Sequence, residues 1–173
     1  MLENHAKVMA MLKSAGEIIG RKKLQKMIFI AKKMQFPFYE RFRFHMYGPY
    51  SEELTLRMEE LCNLGLVEEK NEKKGGYYQY SYRLTQEGET FLDNYEWDMP
   101  LFDQCVQSLN GESARFLELV STMLYFDHLA HDEMVKKVAA VKKSQHYSDE
   151  EFRAASAYIA SLQSLVRSET FQR

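Results

Sequence analysis

The feature that most constrains the fold is a change of apolar period partway along the chain. Leu24, Met27, Ile28, Ala31 and Met34 recur at i, i+3, i+4, i+7, the spacing of a helix with one buried stripe over about residues 20–34. A shorter helix precedes it from Glu3 to Ser14, with Val8, Met11, Leu12 and Ala15 at helical spacing and Gly16 as its stop. A third runs from Ser51 to Leu64, burying Leu54, Met58 and Leu61. Ser51 suits its N-cap, Glu52 and Glu53 its first turn, and Gly65 the left-handed residue after it. Then the period drops to two. Leu66 to Lys70 reads as a short strand, Asn71 to Gly76 as a turn, and Tyr77 to Leu84 as the returning strand, with Tyr78, Tyr80 and Tyr82 on one face. Thr85 can cap a further helix to about Tyr95.

The order helix, helix, helix, strand, turn, strand is that of a winged helix-turn-helix. It is interrupted here: Arg41 to Tyr47 alternates like a strand, with Phe42, Phe44 and Met46 on one face, and Gly48-Pro49 suits the next turn. After Asn94 to Pro100 the pattern is helical only: Leu101–Leu109, Ser113–Leu129, Asp132–Ser144 and Asp149–Ser168, the last with Ser148 and Glu151 at capping-box spacing. The expected fold class is therefore mainly α (α+β). A winged-helix-like domain covers residues 1–95 with a strand insertion at 41–47, and a helical C-terminal region covers 101–173, packed on the first or dimerising. No internal repeat is visible.

A chain of 173 residues with 45% hydrophobic residues is long enough for a core and too apolar to be disordered. Glu3, His5 and Lys7 stand where a secretory leader would begin its apolar stretch, and the apolar run Met27 to Ala31 is far too short to span a bilayer. Cys62 and Cys105 read as free thiols, so a reducing cytoplasm is expected and no membrane partner. The net charge of −2 hides an asymmetry: residues 1–50 balance at +7, residues 51–111 at −8 and the remainder at −1.

On helical wheels Lys22, Lys26 and Lys33 fall opposite the core stripe of the second helix, with Phe29 among them. That face suits phosphate or an acidic partner, or is simply solvated with Phe29 covered by another element. The outward face of the third helix carries Glu52, Glu59, Glu60 and Asn63 around Leu56. In a winged helix this element would enter the major groove, where carboxylates are repelled by phosphate. Ordinary groove readout is therefore disfavoured, and Glu52, Leu56, Glu59 and Glu60 become candidates for protein contact. Lys22, Lys26, Lys33, Arg41, Arg43, Lys73 and Lys74 remain the candidates for nucleic acid. In the last helix Phe152, Ala155, Ile159, Leu162 and Val166 form one stripe, and Ala154, Ala157 and Ser161 a small-residue stripe opposite. A helix of this kind is packed on both sides, as a central helix of the bundle or as a homodimer contact through residues 149–168.

Signatures of enzyme chemistry are absent: the chain has no phosphate-binding glycine loop and no nucleophile elbow. Cys62 and Cys105 read as packing residues. His128 and His131, at i, i+3 with Asp127, Asp132 and Glu133 beside them, could ligate a divalent metal or could lie at a helix junction that Asp132 caps. No cofactor and no enzymatic activity are expected.

Residues 23–31, KLQKMIFIA, followed by 44–54, FHMYGPYSEEL, resemble the YwgA family of Bacillota. That family is similar in turn to the Panacea antitoxin domain, which shares the KLQK and YGP elements. Tyr82 to Gly88, YRLTQEG, resembles the YxLTxxG run that follows the wing of many winged-helix regulators. The resemblance covers about residues 20–90 and implies a winged-helix-like fold. The Panacea likeness implies toxin neutralisation by protein contact. The expectation is a non-catalytic regulatory protein acting as a protein-binding adaptor or antitoxin-like factor. The alternatives are a winged-helix transcriptional regulator that binds DNA and, more remotely, a metal-dependent function at His128 and His131.

Overall fold

The computed structural model describes residues 2–170, with side chains through Arg167; residues 171–173 of the expected helical region lie outside them. The fold is mainly α with a small antiparallel sheet. Helix α1 (Glu3–Ala15) ends where Gly16, at φ 81°, returns its N–H to the Leu12 carbonyl. Strand β1 (Ile18–Ile19) follows at once. It has only two residues and takes its identity from a distant partner, pairing Ile18 with Tyr82 and Ile19 with Ser81. No local pattern announces it.

Helix α2 (Arg21–Lys33) is the centre of the molecule. All eight residues from Leu24 to Ala31 are buried, because a later helix, α6 (Ala114–Tyr125), and the hairpin of β2 (Arg43–His45) and β3 (Gly48–Tyr50) cover the side that the wheel leaves to solvent. The expectation of an outward stripe is corrected at Lys26, and Phe29 follows the alternative of cover by another element. Lys26 is 2% exposed and Phe29 5% exposed, the latter packed edge-on against Phe42 at 5.1 Å.

The expected strand over 41–47 is shorter and has a partner. Strands β2 (Arg43–His45) and β3 (Gly48–Tyr50) form a hairpin in which His45 pairs with Gly48, so the turn is Met46-Tyr47 and not Gly48-Pro49. Phe44 faces Phe126 at 5.4 Å, but Met46, at the turn, is 80% exposed and leaves the face it was assigned. Helix α3 (Glu52–Asn63) starts as expected, with the Ser51 hydroxyl accepting the Leu54 N–H at 3.1 Å, and Gly65 follows at φ 74°.

Strands β4 (Val67–Lys74) and β5 (Tyr77–Leu84) are eight residues each, so the turn shrinks to Gly75-Gly76 and the charged stretch expected to be turn extends the hairpin. Cross-strand charge sustains it: Glu68 lies opposite Arg83 and bonds it at 2.8 Å. Sheet order is β1-β5-β4. Thr85 caps α4 (Gln86–Leu92) by accepting the Gly88 N–H and donates its hydroxyl to the Gly65 carbonyl. A Cβ at Gly88 would run into the Leu66 carbonyl, so this turn demands glycine.

The remaining helices are α5 (Phe102–Asn110), α6 (Ala114–Tyr125), α7 (His131–Val141), a single 3-10 turn at Lys143–Gln145, and α8 (Asp149–Thr170). Ala130, not Asp132, precedes α7, which puts Asp132 in its first turn beside the positive helix end. Helix α5 packs on α1 and α2, α6 on α2, and α8 on α6. A single apolar cluster therefore runs from Val8 through Met27 to Leu117 and Leu162. Phe152, Ala155 and Leu162 of α8 are buried, whereas Ala154, Ala157 and Ser161 are exposed. Among the residues whose side chains are described, α8 is packed on one side only, whereas α2 is packed on both.

Candidate functional site

Two surfaces meet along α3, and the α2–β3 seam fixes both. Gln25 projects from α2 onto the segment after β3. Its side-chain oxygen accepts the Ser51 N–H at 2.9 Å, and its amide donates to the Ser51 carbonyl at 3.0 Å and the Thr55 hydroxyl at 3.1 Å. Ser51 is fully buried, so these bonds satisfy backbone groups that water cannot reach. One residue on, the Lys26 ammonium donates to the Pro49 carbonyl at 2.8 Å. Lys142, from the end of α7, donates to the Met46 carbonyl at 2.5 Å and to Glu118 Oε1 at 2.6 Å. The two lysines thus hold both sides of the hairpin turn. Burial, with Lys142 and Lys22 adding repulsion, pushes the Lys26 ammonium down to about 8 although Glu118 opposes the shift. Gly48 fits because of its neighbours: its φ is 92°, and a Cβ there would sit 3.2 Å from the Thr122 hydroxyl.

The first surface is the outward face of α3. Glu52, Leu56, Glu59, Glu60 and Asn63 are all exposed there, as the wheel predicts, and Leu56 is 56% exposed. Glu60 accepts a hydrogen bond from His5 Nε2 at 2.7 Å, which ties α1 to this face. Arg57 turns the other way, to the buried Glu40 at 2.5 Å.

The second surface is a cleft of about 610 Å³ between α2 and α3. Leu24, Leu54, Met58 and Tyr82 form its buried floor, and Arg21, Lys22, Tyr47, Glu59 and Asn63 its rim. Arg21 stacks on the Tyr80 ring at 3.6 Å, reaches the Tyr82 hydroxyl at 3.2 Å and pairs with Glu69 at 3.7 Å. Lys22 rests over the Tyr47 ring at 3.2 Å. Tyr50 bonds Thr55 through its hydroxyl at 2.7 Å. Cys62 lines the wall half-buried, its thiol pushed up by burial and by nearby Glu69.

The basic candidates do not assemble into one stripe. Lys26 is inside the seam. Lys33 pairs with Asp127 at 2.8 Å, Arg41 with Glu53 at 2.9 Å, and Lys74 with Glu72 at 3.2 Å. The Arg41 bonds hold the Glu53 carboxyl below its ordinary value. Lys22, Arg43 and Lys73 are exposed on three different elements. His128 and His131 are exposed as well, and among the described residues no three His, Cys, Asp or Glu side chains converge as a metal site.

Gln25, Glu118 and Lys142 went unnoticed in the sequence. The signal for Gln25 was its place inside the KLQK motif; Lys142 and Glu118 carry none, since Lys142 reaches Met46 across 96 residues of chain and Glu118 joins it there. Among the described residues no helix is long and apolar enough to cross a membrane.

No protein-family model matches the chain. It is similar to a protein of Bacillus subtilis (strain 168) described as "Uncharacterized protein YwgA", with 58% identity over 165 residues that cover 95% of this chain and 99% of that protein. The match runs through the KLQK and YGPYS segments that the seam joins and on into the C-terminal helices, and on that identity and coverage the chain belongs to the YwgA family of Bacillota.

Proposed function

We propose that the protein is a non-catalytic regulatory binding protein that docks a protein partner on the outward face of α3. In this reading residues 2–95 are a winged-helix-type unit: α1, α2 and α3 form its helical part, the β4–β5 hairpin its wing, and β1 the third strand. The β2–β3 hairpin is inserted where a helix-turn-helix would have a tight turn.

The observation that carries the protein-partner reading is the sign and texture of the α3 surface. Leu56 stands 56% exposed among Glu52, Glu59 and Glu60, all three exposed. An apolar side chain ringed by carboxylates complements a basic patch with an apolar centre, and it repels a phosphate backbone. The likeness of KLQK and YGP to the Panacea domain points the same way, toward an adaptor or antitoxin-like role. The test is co-purification from the native cell, with the bound proteins quantified. The wild-type chain is expected to bring down one partner in stoichiometric amount, and the double variant Leu56→Arg/Glu60→Lys to lose it. An unchanged partner with the variant, or none with either, contradicts the reading.

DNA binding is the second reading. It is favoured by the hairpin tip, where Lys73 and Lys74 stand beside Tyr77 and Tyr78, both more than 60% exposed, and by exposed Lys22 and Arg43. Against it stand the carboxylates of α3 and the ion pairs of Lys33, Arg41 and Lys74. A duplex affinity that falls steeply with salt and drops in Lys73→Glu would support it.

A further inference from the structure

The α2–α3 cleft carries features that a partner-binding face does not need. Its volume of about 610 Å³ lies in the range of small-molecule sites, roughly 300–1,000 Å³. The floor is apolar and the rim is charged, with the cations on α2 and Glu59 facing them from α3. The floor is also preorganised, because the Gln25 bonds fix α2 against the start of α3 and the Tyr50–Thr55 bond fixes the near wall.

The cations that line the cleft are not equivalent. Arg21 is engaged by Glu69 and Tyr82, and Lys26 by Pro49. Lys22 is exposed and, among the described residues, makes no ion pair; its ammonium lies on the Tyr47 ring at the cleft mouth. Lys26 stands one turn behind it in the cleft wall, and Lys142 close behind that, against the one carboxylate of Glu118. The first turn of α2 holds no acidic residue. The field at the α2 end of the cleft is therefore positive, while the floor beside it is made of Leu24, Leu54 and Met58.

We propose that this cleft binds a small amphipathic anion, with its apolar ring or chain on the Leu24–Leu54–Met58 floor and its acidic group at Lys22. Neutral molecules of the same shape gain the floor but not the ammonium. Cationic ones meet Lys22 and Arg21 at the entrance. The proposal stands apart from the partner reading: Leu56 faces outward and does not line the cleft, so either can fail alone.

Cys62 makes the site self-reporting, since it lines the cleft while Cys105 is fully buried. The test uses the full chain and two probe anions, 2-naphthoate and octanoate, with 2-naphthalenemethanol as the neutral match. Calorimetry is expected to find one saturable site for at least one anion, about tenfold tighter than for the alcohol, a factor that corresponds to about 1.4 kcal/mol. Saturation should slow alkylation of Cys62 by N-ethylmaleimide several-fold. Lys22→Glu should erase the preference for the anion, and Leu56→Arg should leave it intact. Circular dichroism of both variants checks that they fold. Absence of saturable binding by both anions, equal affinity for the alcohol, or indifference to Lys22→Glu overturns the proposal. So does protection of Cys62 by a captured protein partner but by neither anion, since the cleft would then be a socket for that partner's side chain.

Discussion

The α2–β3 seam and the outward face of α3 are both rich in charge and lie within a few residues of each other, yet they use charge in opposite ways. In the seam, Lys26 and Lys142 are buried and each ammonium has a named acceptor: Pro49 for Lys26, Met46 and Glu118 for Lys142. On α3, Glu52 and Glu59 face solvent around an exposed leucine. Lys22 and Lys26 make the contrast sharpest. They sit one turn apart on α2, and one is a rim cation while the other is a peg that holds a hairpin. A motif that marks a family need not mark its binding surface: KLQK and YGPYS meet because the Gln25 and Lys26 side chains satisfy the buried backbone of Pro49 and Ser51. The exposed face of α3, the one proposed to dock a partner, lies next to them, mostly in residues outside those motifs.

The largest effect is expected where the seam is tightest. Gly48→Val forces a β-branched residue to positive φ and pushes its side chain into the Thr122 hydroxyl, at a cost of about 4 kcal/mol. Denaturant titration should find the variant close to unfolded. Gln25→Ala comes next, because it strands the N–H of buried Ser51, whose carbonyl keeps the Thr55 N–H and hydroxyl; a loss of about 2 kcal/mol is expected in the same assay. If either variant is as stable as wild type, the seam is not what holds the hairpin.

Lys26 gives the third prediction, and its sign is set by burial. Its folded value of about 8 lies below the ordinary 10.5, so across that interval the unfolded chain holds the proton more tightly. Stability should therefore rise with pH from about 7 to 10, by at most about 3 kcal/mol. Burial also raises the Tyr82 and Tyr147 phenols, whose ionisation in the unfolded chain lowers stability above about pH 10. Lys26→Met should flatten the rise below pH 10. An unchanged slope would mean that Lys26 is not the group responsible.

The smallest effect on stability is expected on the face. Leu56→Arg removes no buried contact and should change stability by less than about 0.5 kcal/mol. A large loss there would place Leu56 in the core's support and weaken its claim as a contact residue.

Local patterns in the sequence carried much of this architecture. The Ser51, Thr85 and Ser148 caps were readable because each hydroxyl bonds an N–H only three residues on. The acidic face of α3 followed from a wheel, since that helix buries one side only. The same wheel failed on α2 at Lys26, which α6 and a hairpin that no local periodicity announces cover together with Phe29. Strand β1 was invisible because two residues acquire strand geometry only by pairing with β5, more than 60 residues away. The cleft was equally hidden, being made of side chains from α2, the hairpin, α3 and the sheet.

The most direct measurement puts a photo-crosslinking amino acid in place of Leu56, and separately in place of Lys73 at the hairpin tip, in the native cell. The α3 face is predicted to yield one discrete protein adduct from position 56 and none from position 73. Nucleic-acid adducts from position 73, with no protein adduct from position 56, would contradict it.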